Sequence, residues 1–410
     1  MRILYLNPSG QLGGAETSLL TLLDGVRSCW PEWEVHLLLG EEGPLVAKAE
    51  KLGVRTEVIP FPAALARTGD SASSLLLSAW RLSQATRSAL LYRKRLATTI
   101  RRLRPDLIHS NGFKMHLLGA WVAGAEVPVI WHIHDYVSRR PWMSRILRRL
   151  RHRSKAAIVN SRSVEVDVRS NLPGLATRTI YNAIDLKKFS PSGPVLDLDR
   201  LAGFPPGRPD LVRVGLVGTF ARWKGHEVFL RALSQLPRDL PVRAFIIGAP
   251  IYQTSGSQWS FSELQAEARR LSLDGRIGFT GFLDDTASAM RALDIVVHAS
   301  TLPEPFGMVI VEGMACAKAV VVSNAGGAAE LIDDGFTALS HHPGDAAELS
   351  RAIERLTRDP GLRVRLGSNG RVAAERLCDS TRLTREVLAT YAECQHSTAR
   401  GGASFAPLAR

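Results

Sequence analysis

The chain has 410 residues, 45% of them hydrophobic and 22% charged, and its 52 Lys and Arg against 39 Asp and Glu give a formal charge of +13. That length carries two or three domains with substantial cores, and the composition excludes a disordered or low-complexity chain. No apolar run reaches the ~20 residues of a membrane span, the scattered Cys29, Cys316, Cys378 and Cys394 form no C-x-x-C pair, and the positive excess fits polyanionic partners: nucleic acid, anionic lipid or a phosphorylated substrate.

The start, MRILYLNPSG, enters a strand-like run at once and lacks the long apolar core and cleavage site of a signal peptide, so a cytoplasmic location is expected. Short aliphatic runs then alternate with longer helical patterns, the order of an α/β protein with parallel sheets. RILYLN, EVHLLL, DLIHS, VPVIWHI and AAIVN read as strands of a first domain. VRVGLVG, VRAFIIG, RIGFTG, DIVVHA and AVVVS read as strands of a second. The stretch 186–210 is rich in Pro, Gly and Asp, a linker composition. The expected layout is a first domain over 1–190, a linker over 191–210, a second domain over 211–378, a helix over 379–396 and a frayed tail over 397–410. Two such halves would face a cleft with the carboxyl ends of both sheets.

The first strand runs into PSGQLGGAE, where Gly13 and Gly14 permit a tight turn and close ligand approach before a helix near Ala15. The spacing does not fit G-x-G-x-x-G, which disfavours a nicotinamide or flavin site, and a plain strand–helix turn is an equal reading. At the end of VPVIWHIHDY, His132 and His134 alternate and so face one side. With Asp135 as the nearby carboxylate and no third ligand, satisfied histidines are a better reading than a metal site. Two tracts are basic: 87–104, RSALLYRKRLATTIRRLR, and 139–155, RRPWMSRILRRLRHRSK. In the second, Trp142, Ile146, Leu147 and Leu150 recur at helical spacing among arginines. This suits an amphipathic helix on an anionic membrane, or equally a domain helix whose apolar stripe packs inward. Nucleic acid is disfavoured, because stacking aromatics are scarce and no nucleic-acid motif is present.

In the second half, GLVGTFARWKGHEVFLRAL reads as strand, Gly-containing loop and helix, with Arg222 and Lys224 in the loop. Fixed cations in such a loop can meet an anionic ligand or the negative charge that develops on a leaving group. Two loop cations are also commonly just solvated. Further on, TLPEPFGMVIVE places Glu304 in a polar loop, Pro305 at or near the first helical turn, and Phe306 and Gly307 at a helix start able to meet an anion. Glu312 follows eight residues after Glu304, on the order of 12 Å along a helix. That is about the span from the ribose of a nucleotide diphosphate to its sugar. Asp197 and Asp199 fit a D-x-D metal string but sit in the linker, so no metal and no cofactor are expected.

EPFG within E-x7-E, GGAE, the His–Asp pair, IYNAIDLKKF at 180–189, Gly218…Lys224-Gly225 and NAGGAAE occur in the order seen in retaining glycosyltransferases of family 4, which the chain resembles over nearly its full length. The resemblance implies a GT-B fold of two Rossmann-like domains, the first on the acceptor side, the second binding the nucleotide sugar, with the helix over 379–396 crossing back to the first domain. It also implies a retaining, metal-independent hexosyl transfer from a nucleotide diphosphate sugar, UDP or GDP, to a hydroxyl of a glycan, lipid-linked or small-molecule acceptor. His134, Lys224, Arg222 and Glu304 take the catalytic roles. Gly13, Gly14, Thr219, Gly281, Phe282, Phe306, Gly307, Met308 and Glu312 bind the donor. Thr219 stands where the family has an Arg, and Arg222 is expected to supply that charge. Ala183, Ala317 and Ala319 replace the family's usual Gly or Pro residues. The partners expected are the nucleotide sugar and the acceptor, with an anionic membrane surface, the inner face of the plasma membrane, left open and no nucleic acid. A sugar-nucleotide epimerase, a phosphorylase or a non-catalytic nucleotide-sugar binder would use the same features.

Overall fold

In RILYLN, Ile3 and Tyr5 turn to one side and Leu4 and Leu6 to the other, all fully buried. This is the signature of a strand covered on both faces of a parallel sheet. The computed structural model describes residues 1–62, 79–124, 126–250 and 256–399. The chain forms two compact units: 1–183 together with the helix Ser380–Ala399, and Ile184–Asp379.

Among the described residues, the first unit has seven parallel strands: β1 (Arg2–Asn7), β2 (Glu34–Leu39), β3 (Arg55–Val58), β4 (Leu107–Asn111), β5 (Val129–Ile133), β6 (Ala156–Val159) and β7 (Thr177–Thr179), in the order β3-β2-β1-β4-β5-β6-β7. Ile3 pairs with Val35 on one side and Leu107 on the other. The second unit has six: β8 (Val212–Val217), β9 (Val242–Ile247), β10 (Ile277–Gly281), β11 (Ile295–His298), β12 (Ala319–Ser323) and β13 (Leu339–His341), in the order β10-β9-β8-β11-β12-β13, again parallel. Each order reverses beside its first strand, between β1 and β4 and between β8 and β11. Open parallel sheets place ligands at such points, outside the carboxyl ends.

The last helix belongs to the first unit. Leu383, Val387, Leu388, Tyr391 and Cys394 form one stripe that joins the core under β1, β2 and β4. It packs on the helix Gly14–Cys29 at Gly25, where a Cβ would lie 1.9 Å from Thr384 Oγ1. Tyr391 Oη lies 2.6 Å from His109 Nδ1 and donates to Tyr5 Oη at 3.2 Å.

Two expected boundaries move. The chain leaves the first unit after Ala183, within the turn of IYNAIDLKKF, and returns at Ser380. The expected linker over 191–210 is part of the second unit. Its short helix Leu198–Leu201 buries Asp199, which pairs with Arg213 and Arg243 at 2.6 Å each. Burial alone would raise the Asp199 carboxyl, but the two guanidinium groups hold it below its ordinary value. Pro and Gly there mark irregular backbone, not a free tether. Of the tail expected to be frayed, 400–410 lies outside the described residues.

Candidate functional site

β8 and β11 are neighbours, so the loops leaving their carboxyl ends meet. After β8 the chain passes Gly218 and Thr219, makes a 3₁₀ turn at Arg222–Lys224, and enters the helix His226–Ser234. Gly225 holds the junction at φ 77°, and a Cβ there would lie 1.8 Å from the Ala299 carbonyl oxygen. Only glycine combines that backbone with that approach. The contact is extended by Thr301, whose N–H and hydroxyl donate to the Trp223 carbonyl at 2.8 and 3.2 Å.

This docking brings Lys224 to Glu304. Lys224 Nζ donates to both carboxylate oxygens, at 2.8 and 2.9 Å. Ser300 Oγ donates to Glu304 Oε2 at 2.8 Å, and His298 Nε2 lies 3.3 Å from the same oxygen. Glu304 is buried, which by itself raises its carboxyl. Lys224 and His298 outweigh that and hold it well below the usual range. The Glu304 backbone is fixed by the turn after β12: its N–H donates to Ala325 O at 3.3 Å, and its carbonyl accepts from Gly327 at 2.7 Å. The glycine pair Gly326–Gly327 thus positions Glu304. His298 and Ser300 were missed from sequence. Their signal was alternation at the end of β11, which turns both side chains the same way.

The helix expected at Pro305 or Phe306 begins later, at Met308, with Gly307 as its cap and no capping side chain. Pro305 therefore lies in the approach loop, and the Phe306 side chain is buried. Ile310, Val311 and Met314 pack inward, while Met308, Val309 and Glu312 share a half-buried face. The Glu312 carboxyl makes no hydrogen bond among the described residues. Burial pushes it up to about 7, with Lys188 pulling weakly the other way. Gly281 ends β10, and Phe282 beyond it stands exposed.

Arg222 does not join Lys224. Its guanidinium lies 3.9 Å over the Trp259 ring and donates to Glu263 at 2.8 Å and to Gly256 O at 3.2 Å. In a 3₁₀ turn, residues two apart point about 120° away from each other, so one anion does not face both.

In the first unit, Gly13 caps the helix Gly14–Cys29, and Glu16 accepts the Gly13 N–H at 3.1 Å, so the acid of GGAE is a capping residue. His132 and His134 face the same side, with ring centroids 4.0 Å apart. His132 Nδ1 lies 3.1 Å from His109 Nε2, and His134 Nε2 lies 3.1 Å from Asn111 Oδ1. Burial lowers His109 to about 3 and His134 to about 4, so both are neutral at pH 7. His134 Nδ1 is buried without a partner among the described residues. Among those residues, no group of three or more His, Cys, Asp or Glu is placed to hold a metal ion. The D-x-D string is engaged otherwise, since Asp197 caps Leu198–Leu201 and Asp199 holds its two arginines.

Two parallel-sheet Rossmann-like units, each with its glycine-bearing loops at the carboxyl edge, define the chain as a GT-B protein. A model of "Glycosyltransferase Family 4" matches residues 12–188, and one of "Glycosyl transferases group 1" matches 207–373. The chain belongs to this family of glycosyltransferases. Among curated relatives, the lipopolysaccharide core biosynthesis glycosyltransferase LpsE of Rhizobium meliloti is 31% identical over 205 residues, 49% of this chain and 56% of its own. The lipopolysaccharide core biosynthesis mannosyltransferase LpcC of Rhizobium leguminosarum is 33% identical over 192 residues, 46% of this chain and 52% of its own. The match thus spans about half the length of these two relatives. Glycogen synthase of Mycobacterium tuberculosis is 29% identical over 321 residues, 73% of this chain and 71% of its own. Among solved structures, Anabaena HepE in complex with UDP superposes with a TM-score of 0.78 at 27% identity, covering 96% of this chain and 100% of HepE. Its complex with UDP-glucose gives 0.77.

Proposed function

We propose that this chain is a retaining glycosyltransferase that moves a hexosyl group from a nucleoside diphosphate sugar to a hydroxyl of a glycan or lipid-linked acceptor, without a metal. The observation that carries the reading is the pairing of half-buried Lys224 with buried Glu304 where the loops after β8 and β11 meet, just before a helix start that carries Glu312. In this reading the diphosphate lies against Gly307 and Met308 with Lys224 beside it. Glu304 accepts hydrogen bonds from sugar hydroxyls and Glu312 from the ribose. Thr219, Gly281 and Phe282 line the nucleotide end, and Gly13, Gly14 and His134 of the first unit keep the roles the family resemblance gives them.

As the bond from C1 to the phosphate oxygen breaks, negative charge collects on that oxygen, and Lys224 and the helix dipole stabilise it. The acceptor oxygen bonds to C1 from the same face, and its proton passes to the departing phosphate. This front-face route needs no protein nucleophile and keeps the anomeric configuration. Support for a UDP-sugar comes from HepE, solved with UDP and with UDP-glucose. Support for a lipid-linked acceptor comes from the lipopolysaccharide core relatives. The test is a thermal-shift panel of UDP-, GDP- and ADP-sugars, followed by NMR of the product anomer with and without EDTA. One stabilising donor and a retained anomer made equally in EDTA are expected. An inverted product, EDTA sensitivity, a trapped glycosyl-enzyme adduct, or sugar epimerised without acceptor overturns it.

A further inference from the structure

Three helices lie on one face of the first unit's sheet: Ala79–Leu103, Phe113–Val122 and Pro141–Leu150, the second in contact with both of the others. None of them contains an Asp or a Glu. Each spends one stripe on its own core: Tyr92, Leu96 and Ile100 in the first, Met115 and Leu118 in the second, Leu147 with Met143 and Leu150 in the third. That is all a helix of a globular domain requires.

A second apolar set faces out. In Pro141–Leu150, Trp142 is 73% exposed and Ile146, one turn on, 38%. Arg145, Arg148 and Arg149 are exposed around them, and the Arg145 guanidinium lies 5.1 Å from the Trp142 ring. On the middle helix Trp121 is 40% exposed, with Arg93 of the first helix 4.5 Å over its ring. On the first helix Leu90 and Leu91 are 46% and 62% exposed, flanked by Arg87, Lys94 and Arg95. Exposed apolar side chains on three neighbouring helices, each set among arginines or lysines, mark an interaction surface. Leu90, Leu91 and Ile146 offer nothing to a phosphodiester backbone, and each Trp already carries a guanidinium on its ring. Trp beside Arg, with aliphatic side chains between, is the chemistry of a lipid headgroup boundary. Among the described residues no helix is long and apolar enough to cross a membrane, so contact would lie in the surface plane.

We propose that this face docks on an anionic lipid bilayer, with Trp142, Ile146 and Trp121 entering the boundary between headgroups and acyl chains and the arginines meeting lipid phosphates. Pro141–Leu150 starts eight residues after β5 ends, at the same carboxyl edge as His134. Docking would therefore bring that edge close to the bilayer.

The experiment floats the full chain with vesicles of phosphatidylcholine alone or mixed with phosphatidylglycerol, with Tm measured for every variant. Binding to the mixed vesicles only is expected. Arg145→Glu/Arg148→Glu/Arg149→Glu should lower partitioning on the order of a hundredfold or more, from about fivefold per lost charge. Trp142→Ala/Ile146→Ala should lower it about tenfold or more. Val372→Ala, exposed on the other unit, should change nothing. Brominated lipids should quench the wild-type fluorescence more than that of Trp142→Phe. Failure to bind mixed vesicles, or binding that survives either multiple variant, overturns the proposal. So does a single-stranded oligonucleotide bound equally by wild type and Trp142→Ala/Ile146→Ala while vesicles are ignored. Donor-sugar thermal shifts should persist in every variant, so loss of lipid binding and failure of the transfer reading are told apart.

Discussion

Lys224→Met keeps the aliphatic stem of Lys224 and removes the charge that neutralises Glu304. Two unit charges 2.8 Å apart attract by about 6 kcal/mol at an effective dielectric of about 20. Desolvation offsets part of this in the wild type, but the variant keeps the desolvated carboxylate and loses its partner. Removing one member of a buried pair costs about 3–5 kcal/mol. Lys224 retains 22% side-chain exposure against 9% for Glu304, so water screens the pair and the lower end, about 3 kcal/mol, applies. At about 2–4 °C per kcal/mol for a unit of this size, Tm should fall by about 6–12 °C at pH 7. The pH dependence gives the sharper test. In the wild type the Glu304 carboxyl sits below its ordinary 4.5, so its stabilisation is complete above that value and fades only as pH falls through the lower folded pKa. In the variant, loss of Lys224 moves the carboxyl up from its wild-type position, with only His298 left to oppose burial, so lowering the pH from 7 to 5 should return stability as the carboxyl protonates. The Tm gap between the two proteins should therefore narrow toward pH 5. Lys224→Met/Glu304→Gln should recover about 2 kcal/mol of the loss. A gap independent of pH, or no recovery in the double variant, would refute the claim that burial of an unpaired Glu304 charge causes the loss.

Glu312→Gln should flatten the pH dependence of donor affinity, which in the wild type should rise through about pH 7 as the carboxyl ionises to accept ribose hydroxyls. Because the folded pKa is raised, the same change should raise Tm at pH 8, by about 1–2 kcal/mol of stability, and leave it unchanged at pH 4. Gly225→Ala should cost about 3 kcal/mol or more, since it combines φ 77° with a Cβ 1.8 Å from Ala299 O; Tm checks this. Arg222→Ala should keep kcat within about threefold, whereas Lys224→Ala should lose on the order of 10²–10³, as measured at saturating donor. Asp199→Ala should destabilise by about 3–5 kcal/mol and open 197–210 to limited proteolysis, where the wild type resists.

Most buried strands were legible because strands inside a parallel sheet are rich in aliphatic residues, as in β1, β2, β6, β8, β9, β11 and β12. β3 (RTEV), β7 (TRT) and β13 (LSH) were not. Each is short, carries polar residues and stands at a sheet edge, where one open side tolerates them. The placement of Glu304 and Glu312 on either side of a loop–helix junction was legible, because eight residues of sequence separate them. His298 and Ser300 were not, because their partner is set by how two loops dock through Gly225 and Ala299, and sequence distance does not encode that contact. Asp199 shows the converse. Its D-x-D string suggested an accidental metal motif in a tether, but Arg213 and Arg243 reach it from adjacent strands that composition cannot align.

The basic helix Pro141–Leu150 shows why one apolar pattern left two readings open. Trp142 and Ile146 are one turn apart, and so are Met143 and Leu147, with Leu150 continuing the second row. The two rows lie about 100° apart around the helix, close enough for periodicity to merge them into a single wide stripe. A single stripe forces a choice between core and membrane. Burial separates the rows: Leu147 is fully enclosed while Trp142 is 73% exposed. The helix can therefore pack on its own sheet and still present an apolar edge among arginines. Sequence spacing alone cannot reveal that division, because it depends on the roll of the helix about its axis. That roll is set by Ser144 and Leu147 facing inward.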